Sequence, residues 1–364
     1  MINAKKIPFK KKVALDLFSL KRSAEALSHK LIYLFWECTV RCNLSCLHCG
    51  SDCSRDMKIP DMPLSDFLNV LDIIKASMDP SKITVAITGG EPLMRSDLSK
   101  AGDSIFNRGF PWGMVTNGFL LTQNKLRELL DAGLQSMTIS LDGLETDHNW
   151  FRGHKDSYKN ALCAIGYAVD ACRKGLLFDV ITCVNQRNLK DLSRIKDLLI
   201  SEGVNNWRLV SIFPKGRARD NKELALQGEQ LRILLDFIVA TRNENKIKAS
   251  YGCEGFLGGY EMEARDFPFY CHAGIGIGSV LVDGSISACP SLRADYIQGN
   301  IYKDNFSDIW NNRFQVMRNR NWLKTGKCAK CKVWNFCKGN GLHLRPDKNG
   351  ELLYCHYNTL VNDA

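Results

Sequence analysis

No apolar run in the 364-residue chain reaches the roughly 18 residues that a membrane-spanning helix needs, so no span is expected. No cleavable leader is expected either. After Lys5, Lys6, Lys10, Lys11 and Lys12, the apolar stretch 13–18 is short and broken by Asp16, and no small-residue cleavage site follows. No secretory signal is read there, and the cytoplasm is the expected location. There is no tandem repeat and no low-complexity segment, which excludes solenoids and disordered tracts. The remaining balance, 45% hydrophobic and 24% charged, is that of an ordinary globular chain of two or three domains. A formal charge of +10 could suit an acidic peptide or nucleic acid, but a solvated lysine-rich surface is the preferred reading, and no nucleic-acid partner is expected.

Cysteine is the exception to this scarcity. Fifteen cysteines are many for a cytosolic chain, where disulfides are disfavoured and clustered thiols favour metal. Cys42, Cys46 and Cys49 form C-x3-C-x2-C. Four cysteines close a 4Fe–4S cluster, whereas three leave one iron able to bind something that is not protein. An open position marks chemistry, as it does in catalytic zinc sites.

Along the chain, residues 1–30 read as a basic extension with a short amphipathic helix on which Leu17, Leu20, Ala24 and Leu27 recur at helical spacing. Such a helix could dock a partner or a membrane surface; packing on its own domain is the expectation. From residue 31 strands alternate with helices. Strands are predicted at 31–36, 83–88, 113–116, 136–141, 178–184 and 207–213. Helices are predicted from Ser65 as N-cap and at 122–131, 157–173, 189–200 and 228–241. Six β-α units imply a parallel sheet with right-handed crossovers, too few for a closed eight-fold barrel. The fold class is therefore α/β, an open partial (β/α)6 barrel, with its site at the carboxyl ends of the strands. The suggestive residues fall there: the cysteines after the first strand, Gly89-Gly90-Glu91-Pro92 after the second, Asn117-Gly118 after the third, Asp142-Gly143 after the fourth. From about residue 251 the periodicity fails, and a hairpin signal appears at Val282-Asp283-Gly284-Ser285. The expected division is 1–30, 31–243 and a metal-supported domain at 244–364.

The three cysteines, the G-G-E-P segment and the six β-α units together resemble the radical S-adenosylmethionine (SAM) superfamily over about residues 31–240. The resemblance implies that the open iron binds the amine and carboxylate of SAM, whose reductive cleavage yields a 5′-deoxyadenosyl radical that abstracts hydrogen from substrate. It also implies SAM contacts by Gly89, Gly90 and Glu91, with Glu91 and nearby carbonyls facing the cationic amine. Asn117 and Ser140 would hydrogen-bond ribose or carboxylate, Arg152 would pair the carboxylate, and Asn185 would lie near ribose and adenine. Residues 213–218 are a weaker candidate segment. His48 is expected to pack against the cluster; Cys38, Cys53, Cys163, Cys172 and Cys183 read as structural thiols.

The later cysteines, Cys271, Cys289, Cys328, Cys331, Cys337 and Cys355, resemble the SPASM domain, an iron–sulfur-binding extension. By the family's ligand assignment, Cys328, Cys331, Cys337 and Cys355 hold one complete auxiliary 4Fe–4S cluster. A second site keeps Cys271 and Cys289, but Gly341 stands where its further cysteine belongs, so that cluster is expected to be incomplete or absent. Cys253 is a candidate replacement. Zinc is the alternative for the four-cysteine set. The resemblance implies a peptide- or protein-modifying enzyme, with a bacterial subgroup paired with small lipoproteins as the narrower match. A small-molecule enzyme of haem or cofactor synthesis is the alternative. A non-catalytic electron-transfer or scaffold protein would need no SAM site. A reductant such as flavodoxin or ferredoxin is implied; no hydrogen-transferring acid or base can be named.

Overall fold

A computed structural model describes residues 2–252, 255–345 and 350–362. The chain begins with α1 (Phe9–Ser28) and enters a repeating pattern of β1 (Tyr33–Thr39), α2 (Leu64–Lys75), β2 (Thr84–Gly89), α3 (Leu98–Phe106) and β3 (Trp112–Thr116). It continues through α4 (Gln123–Asp131), β4 (Leu134–Ser140), α5 (Glu145–Arg152), α6 (Ser157–Cys172), β5 (Leu177–Val184), α7 (Leu192–Ser201), β6 (Asn206–Ser211) and α8 (Gly228–Glu244). Four short strands follow: β7 (Lys248–Tyr251), β8 (Ile277–Val280), β9 (Ser285–Ser287) and β10 (Gly299–Asn300).

All ten strands join one sheet in the order β10-β9-β8-β1-β2-β3-β4-β5-β6-β7, which ends without closing. Strands β1 to β7 pair in parallel, as does β8 with β1, while β9 runs antiparallel to its neighbours. The expected partial barrel is present. The C-terminal segment also extends it, with β7 on one edge and the β8–β10 group on the other. Those strands have two to four residues, too few to show a period.

Local sequence explains the elements. On α2, Phe67, Val70, Leu71 and Ile74 form one buried face. Helix α4 starts where the Thr122 side chain accepts from Lys125 N (3.1 Å). Helix α3 buries Leu98, Ala101, Gly102 and Ile105, and a Cβ at Gly102 would lie 2.3 Å from the Trp112 ring. Trp36, Trp112 and Trp207 are fully buried, and Trp36 stacks on Phe67 at 4.2 Å. Burying side chains of this size contributes about 2–3 kcal/mol each. A buried Glu37 on β1 accepts from Val282 N (3.2 Å) and pairs with Arg293, tying the C-terminal hairpin to the sheet.

The N-terminal helix packs on the C-terminal segment, through a face other than the one expected. Arg22 donates to the carbonyls of Phe336 and Asn335 (both 2.7 Å), Lys11 to that of Gly259 (2.5 Å), and Phe18 meets Tyr270 edge-on. Leu17, Leu20, Ala24 and Leu27 point to solvent, because the docking face is Lys11, Leu15, Phe18 and Arg22.

Candidate functional site

The carboxyl end of β1 runs into the Cys42–Cys49 loop. Cys42 N bonds to Ser54 O (3.0 Å) and Leu47 N to Phe151 O (2.9 Å), so the loop is pinned at both ends. The end of β2 lies on its backbone: Gly90 N bonds to Thr39 O (2.8 Å) and Glu91 N to Arg41 O (2.9 Å). A Cβ on Gly89 would lie 2.1 Å from Thr39 O, and one on Gly90 2.2 Å from Arg41 O. The close approach these glycines permit is therefore to the cysteine-bearing backbone. Glu91 is buried, and its carboxylate accepts from Thr116 Oγ1 (2.7 Å), Asn117 N (2.8 Å) and Leu93 N (3.1 Å). Burial raises its pKa against those donors. The carboxylate thus holds the end of β3 in place.

Each of the three thiols has a donor aimed at it. Asn117 Nδ2 lies 3.9 Å from Cys42 Sγ, Arg152 Nη1 3.6 Å from Cys46 Sγ, and Cys53 N 3.4 Å from Cys49 Sγ. Burial pushes Cys42 up to about 12, whereas hydrogen bonds from the Cys53 side chain and backbone hold Cys49 down, at about 5. Arg152 is buried and held by Asp142, whose Oδ2 accepts from Nε and Nη2 (both 2.5 Å). Asp142 Oδ1 accepts from Cys183 N (2.8 Å), so this pair ties β4 to β5. His148 accepts from Asp142 N (3.0 Å) and meets Ser157 Oγ (3.0 Å); burial, then the Arg152 charge, lowers its pKa to about 3. His48 stacks flat on Phe151 at 4.1 Å.

The loop after β6 completes the enclosure. Arg217 donates from Nε to Cys46 O (2.7 Å) and from Nη1 to Cys53 O (3.0 Å) and Asp52 (2.7 Å), and its backbone N bonds to Cys49 O (3.1 Å). A Cβ on Gly216 (φ +58°) would lie 2.2 Å from Cys49 O. This segment had only a weak signal in the sequence. Ser140 is buried at the end of β4. Asn185 Oδ1 is taken up by Arg187 N (2.9 Å) and Asn188 N (3.1 Å) in a local turn. Asn188, which sequence reasoning missed, bonds Asp142 O (2.6 Å) and Cys183 O (3.0 Å); its only signal was its spacing from Asn185.

A second thiol cluster lies apart from the first. Cys328, Cys331, Cys337 and Cys355 line one cavity of about 520 Å³ with Lys5, Lys327, Lys330 and Lys332. Asn340 N bonds to Cys337 Sγ (3.2 Å), and Arg345 Nη2 lies 3.7 Å from Cys328 Sγ. The buried Asn340 Nδ2 has no hydrogen-bond partner. Cys271 and Cys289 interact with each other, and burial raises Cys289 to about 11. Cys253 lies outside the described residues.

Among the described residues, no three His, Cys, Asp or Glu side chains converge tightly enough for a single ion. Donors aimed at sulfur, an orphaned amide and a cysteine-lined cavity fit iron–sulfur groups at the three- and four-cysteine sites.

A family model described as the Radical SAM superfamily matches residues 36–199, and one described as SPASM, an iron–sulfur cluster-binding domain, matches residues 271–332. The chain is a radical SAM protein with a C-terminal SPASM domain. Those domains imply SAM and 4Fe–4S clusters as cofactors. This radical SAM protein is 27% identical over 348 residues to the AdoMet-dependent heme synthase of Methanosarcina barkeri, covering 88% of this chain and 95% of that one. It is 27% identical over 319 residues to the mycofactocin maturase of Mycolicibacterium smegmatis, covering 85% and 77%. Its fold matches Streptococcus suis SuiB bound to S-adenosylmethionine with a TM-score of 0.68 at 15% identity, covering 89% and 77%.

Another cleft, of about 470 Å³, sits at the opposite, amino ends of the strands among Tyr33, Thr138, Asp179 and Arg208. Its Asp179–Arg208 pair (2.9 Å) bridges the neighbouring strands β5 and β6 there.

Proposed function

We propose that this radical SAM enzyme removes a hydrogen atom from a small carboxylate-bearing substrate of the iron-porphyrin kind, held between the barrel mouth and the SPASM domain. The observation that carries this reading is a basic cluster between the two cysteine-bearing regions. Lys215 Nζ donates to Ser291 O (2.6 Å), and its pKa is lowered by burial, then raised by the Cys289 thiol and lowered by Arg293 and Arg219. Lys215 and Arg219 would hold carboxylates close to the three-thiol loop, beside Arg293, which is already paired with Glu37. The relationship to a heme synthase over nearly that protein's whole length supports the same class.

Cys42, Cys46 and Cys49 would hold the SAM-binding cluster, with Asn117, Arg152 and the Cys53 backbone donating to its sulfurs. When bound, cluster and SAM supply the electron and the hydrogen-abstracting radical. The protein's part is to orient and to exclude water: Glu91 fixes Asn117, Asp142 fixes Arg152, and Arg217 closes the loop. Gly89, Gly90, Ser140 and Asn185 line or shape the strand ends around SAM. Residues 31–243 carry the radical chemistry in this reading, and residues 244–364 hold one complete auxiliary cluster at Cys328, Cys331, Cys337 and Cys355, with Cys271 and Cys289 as a partial site. A flavodoxin or ferredoxin would supply electrons in the cytoplasm.

The second reading is peptide or protein modification, including a small lipoprotein precursor as substrate. The mycofactocin maturase relative favours it. The test is anaerobic reconstitution with SAM and a reductant, offering iron coproporphyrin and peptides separately. Porphyrin-dependent formation of 5′-deoxyadenosine with a mass loss in the porphyrin is expected. Stimulation by a peptide alone, with no porphyrin binding, would replace the first reading by the second.

A further inference from the structure

Helix α1 has two opposite faces, and only one is used inside the molecule. Lys11, Leu15, Phe18 and Arg22 dock on the C-terminal segment. On the other side Phe9, Val13, Leu17, Leu20, Ala24 and Leu27 fall within an arc of about 80°, at 3.6 residues per turn. Phe9 is 80% exposed, Leu17 63%, Leu20 69% and Leu27 81%. This is a straight apolar stripe about 27 Å long facing solvent.

Charge indicates what covers it. Lys10 and Lys21 flank the stripe on one side and Lys12 on the other, and Lys5 and Lys6 precede the helix; all five are exposed. Residues 1–30 hold eight basic residues against two acidic ones, a net +6 of the chain's +10. A second copy of the chain would bring these lysines against one another. A flat anionic surface meets the pattern, because lysines on both flanks can reach headgroups while the apolar edge enters the interface. We propose that α1 is an interfacial anchor that holds the folded protein on an anionic lipid bilayer through Phe9, Val13, Leu17, Leu20 and Leu27. The proposal is independent of which substrate the enzyme uses. No helix among the described residues is long and apolar enough to cross a membrane, so attachment would be peripheral.

The test is cosedimentation of the reconstituted full chain with phosphatidylcholine vesicles, with and without roughly 30% phosphatidylglycerol. Binding to the anionic vesicles should exceed binding to the neutral ones by about tenfold or more, and should weaken with salt. Leu17→Asp/Leu20→Asp should abolish it, as should Lys10→Glu/Lys12→Glu/Lys21→Glu. Both variants should keep the parent melting temperature and SAM cleavage, since the altered residues are exposed. The proposal is overturned if the parent chain ignores anionic vesicles, or if Leu17→Asp/Leu20→Asp binds them as well as the parent does. A doubled solution mass that this variant halves would assign the face to a second copy. Capture by an acidic amphipathic peptide without vesicle binding would assign it to a protein.

Discussion

The three-cysteine loop and the four-cysteine cavity are built in different ways. In the loop the thiols are close in sequence, but the groups that hold them come from β2, β3, α5 and the segment after β6: Gly90, Asn117, Arg152 and Arg217. In the cavity the support is local. Asn340 and Arg345 follow Cys337 closely, and the chain turns there through Lys338 (φ +51°), Gly339 (φ +89°) and Asn340 (φ +63°). The first site inherits its shape from the sheet. The second depends more on whatever its own cysteines bind, as small metal-supported modules do.

The largest expected effect separates the two sites directly. Cys46→Ala should abolish SAM cleavage, whereas Cys328→Ala should retain measurable cleavage while product formation stops; chromatography of 5′-deoxyadenosine reads both. Equal losses would show the sites to be one functional unit. Next in size is the buried ion pair. Asp142→Asn leaves the Arg152 charge unpaired and should cost about 3–5 kcal/mol in denaturant unfolding. Asp170→Asn, at the exposed Arg173–Asp170 pair (3.9 Å), should change stability by less than about 1 kcal/mol.

Smaller effects come from the close backbone approaches. Gly90→Ala and Gly216→Ala should each lose about 1–3 kcal/mol, because each new Cβ would meet a carbonyl oxygen at 2.2 Å. Gly166→Ala, in α6 with nothing within 4 Å of its Cβ, should gain about 0.5–1 kcal/mol. Of comparable size is a pH effect at His148. Its folded pKa of about 3 lies below the unfolded value near 6.5, so below pH 6.5 the unfolded chain binds the extra proton. Stability present above pH 6.5 should fall by about 1.4 kcal/mol on going to pH 5.5. His148→Gln should flatten that part of the unfolding profile; an unchanged slope would assign it to other groups.

The six parallel strands were legible because each is a short apolar run between turn signals. Helix α3 was not, since Ala101 and Gly102 on its buried face weaken the period. The stripe on α1 was seen and its direction inverted, because two faces of that helix can each be read as apolar and only packing chooses between them. Cys163 was read as a buried thiol and is exposed on α6. At the site the thiols themselves were plain in C-x3-C-x2-C. The internal partners of Glu91 were not: its carboxylate accepts from Thr116 and Asn117 at the end of the next strand, contacts that no local spacing announces. Arg217 fell in a segment with only a weak signal, because it acts on carbonyls of a loop far away in sequence.

The central claim is that the loop near the sheet makes the radical and the SPASM cavity holds a separate cluster. Iron counting joined to electron paramagnetic resonance of the reduced, reconstituted protein tests it most directly. The account predicts about eight irons per chain and one cluster signal that shifts when SAM is added. In the Cys42→Ala/Cys46→Ala/Cys49→Ala variant about four irons should remain and the shift should vanish. Zinc in the cavity, or a SAM-dependent shift that survives in that variant, would contradict it.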